Sequence, residues 1–346
     1  ISVVKALKAG ASFNELIDLV NDAAKRVHSI MSFDTLKYLA KGGRIGKAQG
    51  LLGGVQYWDG QFDDARYAVN LARTATQAGA LVVNYCGVTQ LLHTEGRVSG
   101  LLAQDHESGQ SFQVNAACVI NATGVWVDRI RQLDAEPSGV KIQPMVAPSQ
   151  GVHLVVDREF LPGDHALLVP KTADGRVLFA VPWQGKVLLG TTDTPKSSVD
   201  WEPQALDTEI DQILEESGKY LMRAPVRSDV RSVWAGLRPL AITQAAKGQD
   251  AGATQSVSRE HAIHVASNGL VTVTGGKWTT YRAMAADVMQ AIRKAQMLSL
   301  TAEDVTAHTA LWGAQAGALT GVKAEARVDA QEEAEAEAAY GTDAPL

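Results

Sequence analysis

Cysteine is nearly absent from the chain: two in 346 residues are too few for a disulfide scaffold. Cys86 and Cys118 lie far apart and form no CxxC pair, so buried free thiols in a reducing compartment are expected. Runs of ~18 consecutive apolar residues, the length a membrane-spanning helix needs, are missing. No secretory signal opens the sequence, where Ile1-Ser-Val-Val leads into an expected lysine- and alanine-containing helix, and a cytoplasmic location is expected. A net charge of -6 and a pI near 5.8 argue against a broad nucleic-acid surface. His261 and His264 stand three apart in a strand and face opposite sides, a poor metal pair, and no metal site is expected. What remains is 46% apolar and 20% charged residues, an ordinary soluble globular composition with length enough for two domains.

The most informative run is Val271-Thr-Val-Thr-Gly275-Gly276-Lys277-Trp278-Thr279-Thr280-Tyr281-Arg282. Alternating apolar residues end in two glycines. Tyr281, Met284, Ala285, Val288, Met289 and Ile292 then recur at helical spacing. The pattern predicts a strand, a Gly-Gly turn and a helix. Such a turn lets backbone approach a ligand closely, and first-turn N–H groups suit an anionic or carbonyl-rich group. A plain strand–helix corner fits the geometry equally well.

The wording of this run resembles the C-terminal flavin-binding signature of the FAD-dependent glycerol-3-phosphate dehydrogenases, within the D-amino-acid-oxidase-like superfamily. Further matches follow in order: Asp59-Gly-Gln-Phe-Asp-Asp-Ala-Arg66, Val119-Ile-Asn-Ala-Thr-Gly124, Gln150-Gly-Val-His153, Val177-Leu-Phe-Ala-Val-Pro-Trp183, Gly190-Thr-Thr-Asp-Thr-Pro195, Ala235-Gly-Leu-Arg-Pro-Leu240 and Ser258-Arg-Glu-His261. Together they span roughly residues 53–297. The resemblance implies an α/β fold with an α+β cap: an incomplete FAD/NAD(P)-binding, Rossmann-like domain over 54–140 and 255–297, and an antiparallel-sheet substrate domain over 141–254. Residues 298–346 correspond to a truncated helical C-terminal region, with an alanine- and glutamate-rich segment at 323–339 that reads as a solvated helix.

The first fifty residues differ. Ser12-Phe-Asn-Glu15 is a capping box opening a helix with Phe13, Leu16, Ile17, Val20, Ala23 and Val27 on one face. The glycine-rich, basic stretch Gly42-Gly-Arg-Ile-Gly-Lys47 lacks Walker spacing and a preceding strand. Residues 1–53 resemble a fragment of the DegV family of fatty-acid-binding proteins. The chain reads as a fusion with its seam near residue 53, and an assembly artefact is the favoured origin.

Within the dehydrogenase-like part, Asp63 or Asp64 caps a helix running to Ala78, whose small residues suit packing on a sheet. Strands are expected at Leu81–Asn84, Arg97–Gln104 and Phe112–Ile120, and a short helix over 125–133. Hairpins follow from Gly151 to Thr192, with turns at Asp174-Gly175 and Gln184-Gly185. A covering helix with Leu206, Ile210, Ile213, Leu214 and Leu221 comes next, then a strand from Val233 and a hairpin over 262–274.

The resemblance implies oxidation of sn-glycerol 3-phosphate to dihydroxyacetone phosphate with hydride transfer to FAD. It carries cofactor-binding roles onto Ala122, Thr123, Gly124, Gly275, Gly276, Lys277, Trp278, Thr279 and Thr280. It carries substrate-binding roles onto Arg238, Arg259, Lys277 and Thr192. Arg238 sits between apolar residues, where a charge needs a partner: substrate, or a neighbouring carboxylate. Arg238, Lys277 and His153 are the catalytic candidates. His153 has a suitable pKa for a base, although a lone histidine in a strand is commonly structural. Thr191, Thr192 and Asp193 read as a loop near the ring or as a plain turn.

Family members bind the ADP part of FAD with a GxGxxG turn, and this sequence has none. The chain by itself is therefore expected to hold FAD weakly and to have lost most or all of the parent activity. Alternatives are an amino-acid or amine oxidase of the same superfamily and a non-catalytic DegV-like lipid-binding fusion. A quinone acceptor and peripheral association with the inner face of the cell membrane belong to the family.

Overall fold

The computed structural model describes residues 2–8, 51–58, 60–135, 139, 141–169, 172, 177–242 and 260–314, with the backbone path alone for 2–8 and 51–58. β1 (Ser2–Lys8) and β2 (Leu51–Trp58) pair antiparallel. α1 (Asp64–Gln77) is capped by Asp63, whose carboxylate accepts the Arg66 N–H at 2.9 Å. Gly79, at φ +92°, stands just beyond its end. β3 (Cys86–Thr94), β4 (Arg97–Asp105) and β5 (Ser111–Asn115) form an antiparallel meander. β6 (Ile120–Asn121) is short and leads into α2 (Val127–Ala135), which buries Val127 and Ile130.

A large sheet then dominates. β7 (Val146–Asp157), β8 (His165–Val169), β9 (Leu178–Trp183), β10 (Lys186–Gly190) and β11 (Thr194–Pro195) precede α3 (Asp207–Gly218), and β12 (Ser232–Ala241) closes it. β10 and β11 lie end to end along one edge of β7, while β12 runs antiparallel along the other. Beyond β10 the order continues β9, β8, β1, β2, and the β1–β8 pairing is parallel. Gln184 and Gly185, at φ +42° and +72°, make the tight turn between β9 and β10. Finally β13 (His261–Val265) and β14 (Val271–Gly275) form a hairpin ahead of α4 (Tyr281–Lys294). β14 also pairs with β6 in parallel.

The period-two pattern of β7 sorts its faces. Val152, Leu154 and Val156 are fully buried against Val187, Leu189, Leu167 and Val169, and α3 covers them with Ile213 and Leu214. Each such side chain contributes about 1.5–3 kcal/mol of burial. The opposite face carries Gly151 and His153.

Several expectations are corrected. Leu81–Asn84 is not a strand: Leu81 is 91% exposed, and among the described residues no strand pairs with it to satisfy its backbone. The apolar run 112–120 splits into β5 and β6, interrupted at 116–119. The opening residues form β1 rather than a helix, and the seam at residue 53 falls inside β2. α1 buries none of its residues. Cys86 and Cys118 are free but only partly buried. Residues 298–314 contain no helix. The helix after Ser12, the turn at Asp174-Gly175, Arg259 and the segment 323–339 lie outside the described residues.

Leu154→Ala is expected to lower the unfolding free energy by about 2–5 kcal/mol, since its site is fully buried and walled by strands on both sides. Denaturant titration of the two chains checks this; a loss below ~1 kcal/mol would show that this face is not the core.

Candidate functional site

Two glycine turns leave the C-terminal ends of neighbouring parallel strands. Ile120 pairs with Val271 and Asn121 with Thr272, and β14 runs three residues further, so the residues that follow β6 lie along its end. Each then enters a short 3-10 turn, Gly124–Trp126 or Trp278–Thr280, that opens a helix. Gly124 at φ +62° has open space where a Cβ would stand. At Gly275, φ +76°, a Cβ would come within 2.6 Å of the Glu260 carbonyl and 2.9 Å of the Ala241 side chain. Buried Asn121 ties the turns together: its amide donates to the Val127 carbonyl at 2.9 Å and to the Thr272 hydroxyl at 3.4 Å, and its oxygen accepts the Thr123 hydroxyl at 2.8 Å. The crevice outside such strand ends is where open α/β sheets bind dinucleotides.

The side chains of the second turn are partly spoken for. The Thr280 hydroxyl donates to the Lys277 carbonyl at 2.9 Å. Trp278 meets the Tyr67 ring edge-on at 5.9 Å, and the Tyr67 and Tyr281 hydroxyls lie 3.1 Å apart. That hydrogen bond, with burial, pushes the Tyr281 phenol up to about 12, so it stays protonated. Lys277 is exposed at the mouth of the turn, beside exposed Thr279.

The second half of the site is the open face of the large sheet. Across β7 the register sets Trp234 opposite His153 and Gly190, Gly236 opposite Gly151, and Arg238 opposite Ser149. Trp234 stacks on the His153 ring at 5.7 Å and Phe179 flanks it at 5.5 Å. A Cβ at Gly190 would sit 2.6 Å from that ring, and one at Gly151 would overlap the Arg238 guanidinium. Glycine at both positions is thus a requirement of close packing. Arg238 donates to the Thr192 carbonyl at 3.1 Å and to the Thr191 hydroxyl at 2.9 Å. Its Nη1 lies 3.6 Å from Asp193, which also accepts a short hydrogen bond from Ser149. Burial, and then the Arg238 charge, lower His153 to about 4, leaving a neutral imidazole at neutral pH.

A buried carboxylate stands behind this loop. Glu209, 3% exposed, accepts from the Thr192 hydroxyl at 3.0 Å, the Thr194 hydroxyl at 2.6 Å, the Gln150 amide at 2.7 Å and the Leu206 N–H at 2.9 Å. Burial raises its pKa, but these hydrogen bonds outweigh that and hold it below the ordinary carboxylate value.

The predicted residues fall into two groups. Ala122, Thr123, Gly124 and Gly275–Thr280 gather at the strand ends; Arg238, His153 and Thr192 gather on β7, β12 and their loop. Ala241 joins them: it touches the Gly275 turn and stands three residues, about 10 Å of strand, from Arg238. Thr192 is corrected as a substrate ligand, because its side chain is 1% exposed and its hydroxyl is shared between the Val152 N–H at 3.0 Å and Glu209. The sequence reading missed Glu209, Ser149, Gln150 and Trp234. The i+3 spacing from Leu206 marks Glu209 only as a first-turn residue. Among the described residues, no cluster of three His, Cys, Asp or Glu is placed to hold a metal, and no helix is long and apolar enough to cross a membrane.

Because His153 is neutral in the fold down to about 4 but titrates near 6.5 when exposed, its contribution to stability is fully present above pH 6.5. It is lost as the pH falls from 6.5 toward 4. Histidine NMR should place the His153 midpoint at about 4. His153→Gln should flatten the pH dependence of stability across that window; an ordinary midpoint near 6.5 would contradict the packing described.

The FAD dependent oxidoreductase family model matches residues 8–282. The mitochondrial glycerol-3-phosphate dehydrogenase of Saccharomyces cerevisiae is 42% identical over 261 residues, covering 68% of this chain and 40% of that protein. Its counterpart in Homo sapiens is 41% identical over 256 residues, covering 72% of this chain and 34% of that protein. The chain therefore spans about two fifths or less of the length of these relatives. The structure of glycerol-3-phosphate dehydrogenase from Bacillus halodurans complexed with FAD superposes with a TM-score of 0.76 at 27% identity, over 99% of this chain and 62% of that one. An L-alpha-glycerophosphate oxidase from Mycoplasma pneumoniae shares the fold, with a TM-score of 0.62 at 17% identity. With glycine turns on adjacent parallel strands and a family match covering most of its length, the chain belongs to the FAD dependent oxidoreductases.

Proposed function

We propose that this chain carries the substrate face and part of the cofactor crevice of a flavin-dependent enzyme that oxidises sn-glycerol 3-phosphate to dihydroxyacetone phosphate. The observation that carries the reading is the pairing of Arg238 with a neutral, half-buried His153 on one sheet face. The 42% identity to a glycerol-3-phosphate dehydrogenase supports the choice of substrate.

The residues present fit FAD. Gly124 leaves open backbone where a dinucleotide approaches, and first-turn N–H groups over 278–280 suit an acceptor-rich ring or phosphate. Residues 122–124 and 275–280 would hold it. FAD held there would supply a two-electron acceptor for the hydride from C2. His153, neutral at working pH, accepts the C2 hydroxyl proton as the carbonyl forms. Arg238, already fixed by two hydrogen bonds, holds the substrate oxygen with little reorganisation. Lys277 and Arg259 are assigned to the phosphate dianion, and Lys277, in the glycine turn, would also help to hold FAD. Trp234 and Phe179 pack against the imidazole and fix its ring.

A quinone acceptor and peripheral membrane docking are part of the same reading, taken from the family resemblance. A DegV-derived origin for residues 1–53 is a separate part of it. Sequencing transcripts across the junction checks that origin, and transcripts that never join the two segments would mark the junction as an artefact. The rival enzyme reading is an amine or amino-acid oxidase.

The visible spectrum of the chain incubated with FAD tests the proposal. Anaerobic glycerol 3-phosphate should bleach the flavin band while glycine and sarcosine leave it unchanged. Arg238→Met should weaken glycerol 3-phosphate by about 100-fold, the worth of one well-placed charged hydrogen-bond pair. Bleaching by glycine or sarcosine instead would favour the oxidase reading. No flavin band, even with excess FAD, would count against the cofactor half of the proposal.

A further inference from the structure

We propose that Glu209, a carboxylate on α3 behind the large sheet, is a positioning residue that sets the direction of the Arg238 guanidinium through Thr192. The inference rests on the reading of Arg238 as the group that holds a substrate oxygen, and it adds a residue to that site.

The argument begins with proton bookkeeping. An ionised carboxylate only accepts, so the Thr192 and Thr194 hydroxyl hydrogens must both point at Glu209. With its hydrogen committed, the Thr192 oxygen has a lone pair left for the Val152 N–H. Thr192 is thereby fixed from two sides, one on α3 and one on β7. Its carbonyl, on the other side of the backbone, is one of the acceptors that hold Arg238, and the adjacent Thr191 hydroxyl is another. Thr194 pairs with Gln150 in the β11–β7 register, and Gln150 also donates to Glu209. Both ends of the 192–194 loop are thus tied to one carboxylate.

Glu209 also accepts the Leu206 N–H, as a helix-capping glutamate would. Capping alone does not explain its placement. A cap needs one acceptor and works in solvent, whereas Glu209 is almost fully buried and receives three further donors, all from β7 or the loop that holds Arg238. Burying a carboxylate is costly unless its acceptor sites are filled, and here the site filling them is the active-site loop. A glutamine would present an amide donor in place of one accepting oxygen, so the Thr192 and Thr194 hydroxyls, or their partners, must turn to accept it, and the hydrogen that now fixes Thr192 against Glu209 is released.

The test reads Arg238 through His153, which needs neither flavin nor substrate. The charged or titratable groups at this spot are Arg238 itself and Asp193, with Trp234 and Phe179 as apolar walls. Arg238→Met removes the cation and should raise the His153 midpoint, giving the reference shift in histidine NMR. Glu209→Gln should reproduce at least about half of that shift, because a guanidinium released from the loop screens into solvent. Thr192→Val should do the same, and Thr192→Ser, which keeps the hydroxyl, should return the midpoint to its starting value. In parallel, affinity for glycerol 3-phosphate should fall about tenfold or more in Glu209→Gln and Thr192→Val, again with rescue in Thr192→Ser.

A lowered melting temperature with an unmoved His153 midpoint in Glu209→Gln would make Glu209 a structural cap and overturn the proposal. So would a Thr192→Ser chain behaving like Thr192→Val, or an Arg238→Met chain with no shift. If Glu209→Gln does not fold, the Thr192 pair decides alone. The two readings fail separately: a chain with the expected NMR shifts that ignores glycerol 3-phosphate defeats the substrate assignment and leaves the positioning role standing.

Discussion

The pairing of β7 with neighbours on both edges is the constraint on which the core and the Arg238–His153 face both depend. One edge holds β10 and β11 with the 191–193 loop between them, and the other holds β12. Because strand register has period two, a slip of one residue would turn Arg238 and His153 into the core and expose Val152 and Leu154. Ten paired residues from Ser232 to Ala241 exclude that slip, and the buried valines and leucines of β7 penalise it. The register that packs the core is therefore also the one that sets Arg238 over Gly151 and Trp234 beside His153.

That arrangement concentrates polar groups in a buried place. Ser149, Gln150, Thr192 and Glu209 are all nearly inaccessible, and three of the four lie on or beside β7. Glu209 binds Thr192 and Gln150, and Ser149 bonds to Asp193, which offsets much of their removal from water; the Gln150 side-chain oxygen is left without a partner. The network joins the covering helix to the Arg238 face of the sheet, since Glu209 reaches past β7 to the loop that receives Arg238. A guanidinium held in this way is already aimed, because donors fixed in place need no reorganisation to meet an oxygen.

The cofactor side depends on a different geometric fact. β6 has only two residues, yet its parallel pairing with β14 places the turns at Gly124 and Gly275 next to each other. Asn121 reinforces that adjacency by bonding to both strands' surroundings. β12 then brings the Arg238 face to the same corner through the close approach of Ala241 to Gly275, which a side chain at position 275 would block.

Much of this was legible in the sequence. The Gly275-Gly276 turn, the hairpin at Gln184-Gly185, the helix capped by Asp63 and the alternation of β7 are local patterns, set by φ preferences, capping chemistry and strand periodicity. Leu81–Asn84 was misread because β propensity describes a residue's fitness for a strand and not the presence of a partner strand. Thr192 was misread because the motif around it says that the loop matters, while only the fold shows its hydroxyl turned inward to Glu209. By itself the sequence determined the helix capped by Asp63, the glycine turns and the alternation of β7, since those follow from residues a few positions apart. Tertiary structure alone decided which of them meet: Glu209 finds Thr192 across 17 positions, and Arg238 finds the Thr192 carbonyl across 46. Side-chain direction at a buried polar site is fixed by the donors and acceptors that packing brings within 3 Å, and no local pattern encodes those.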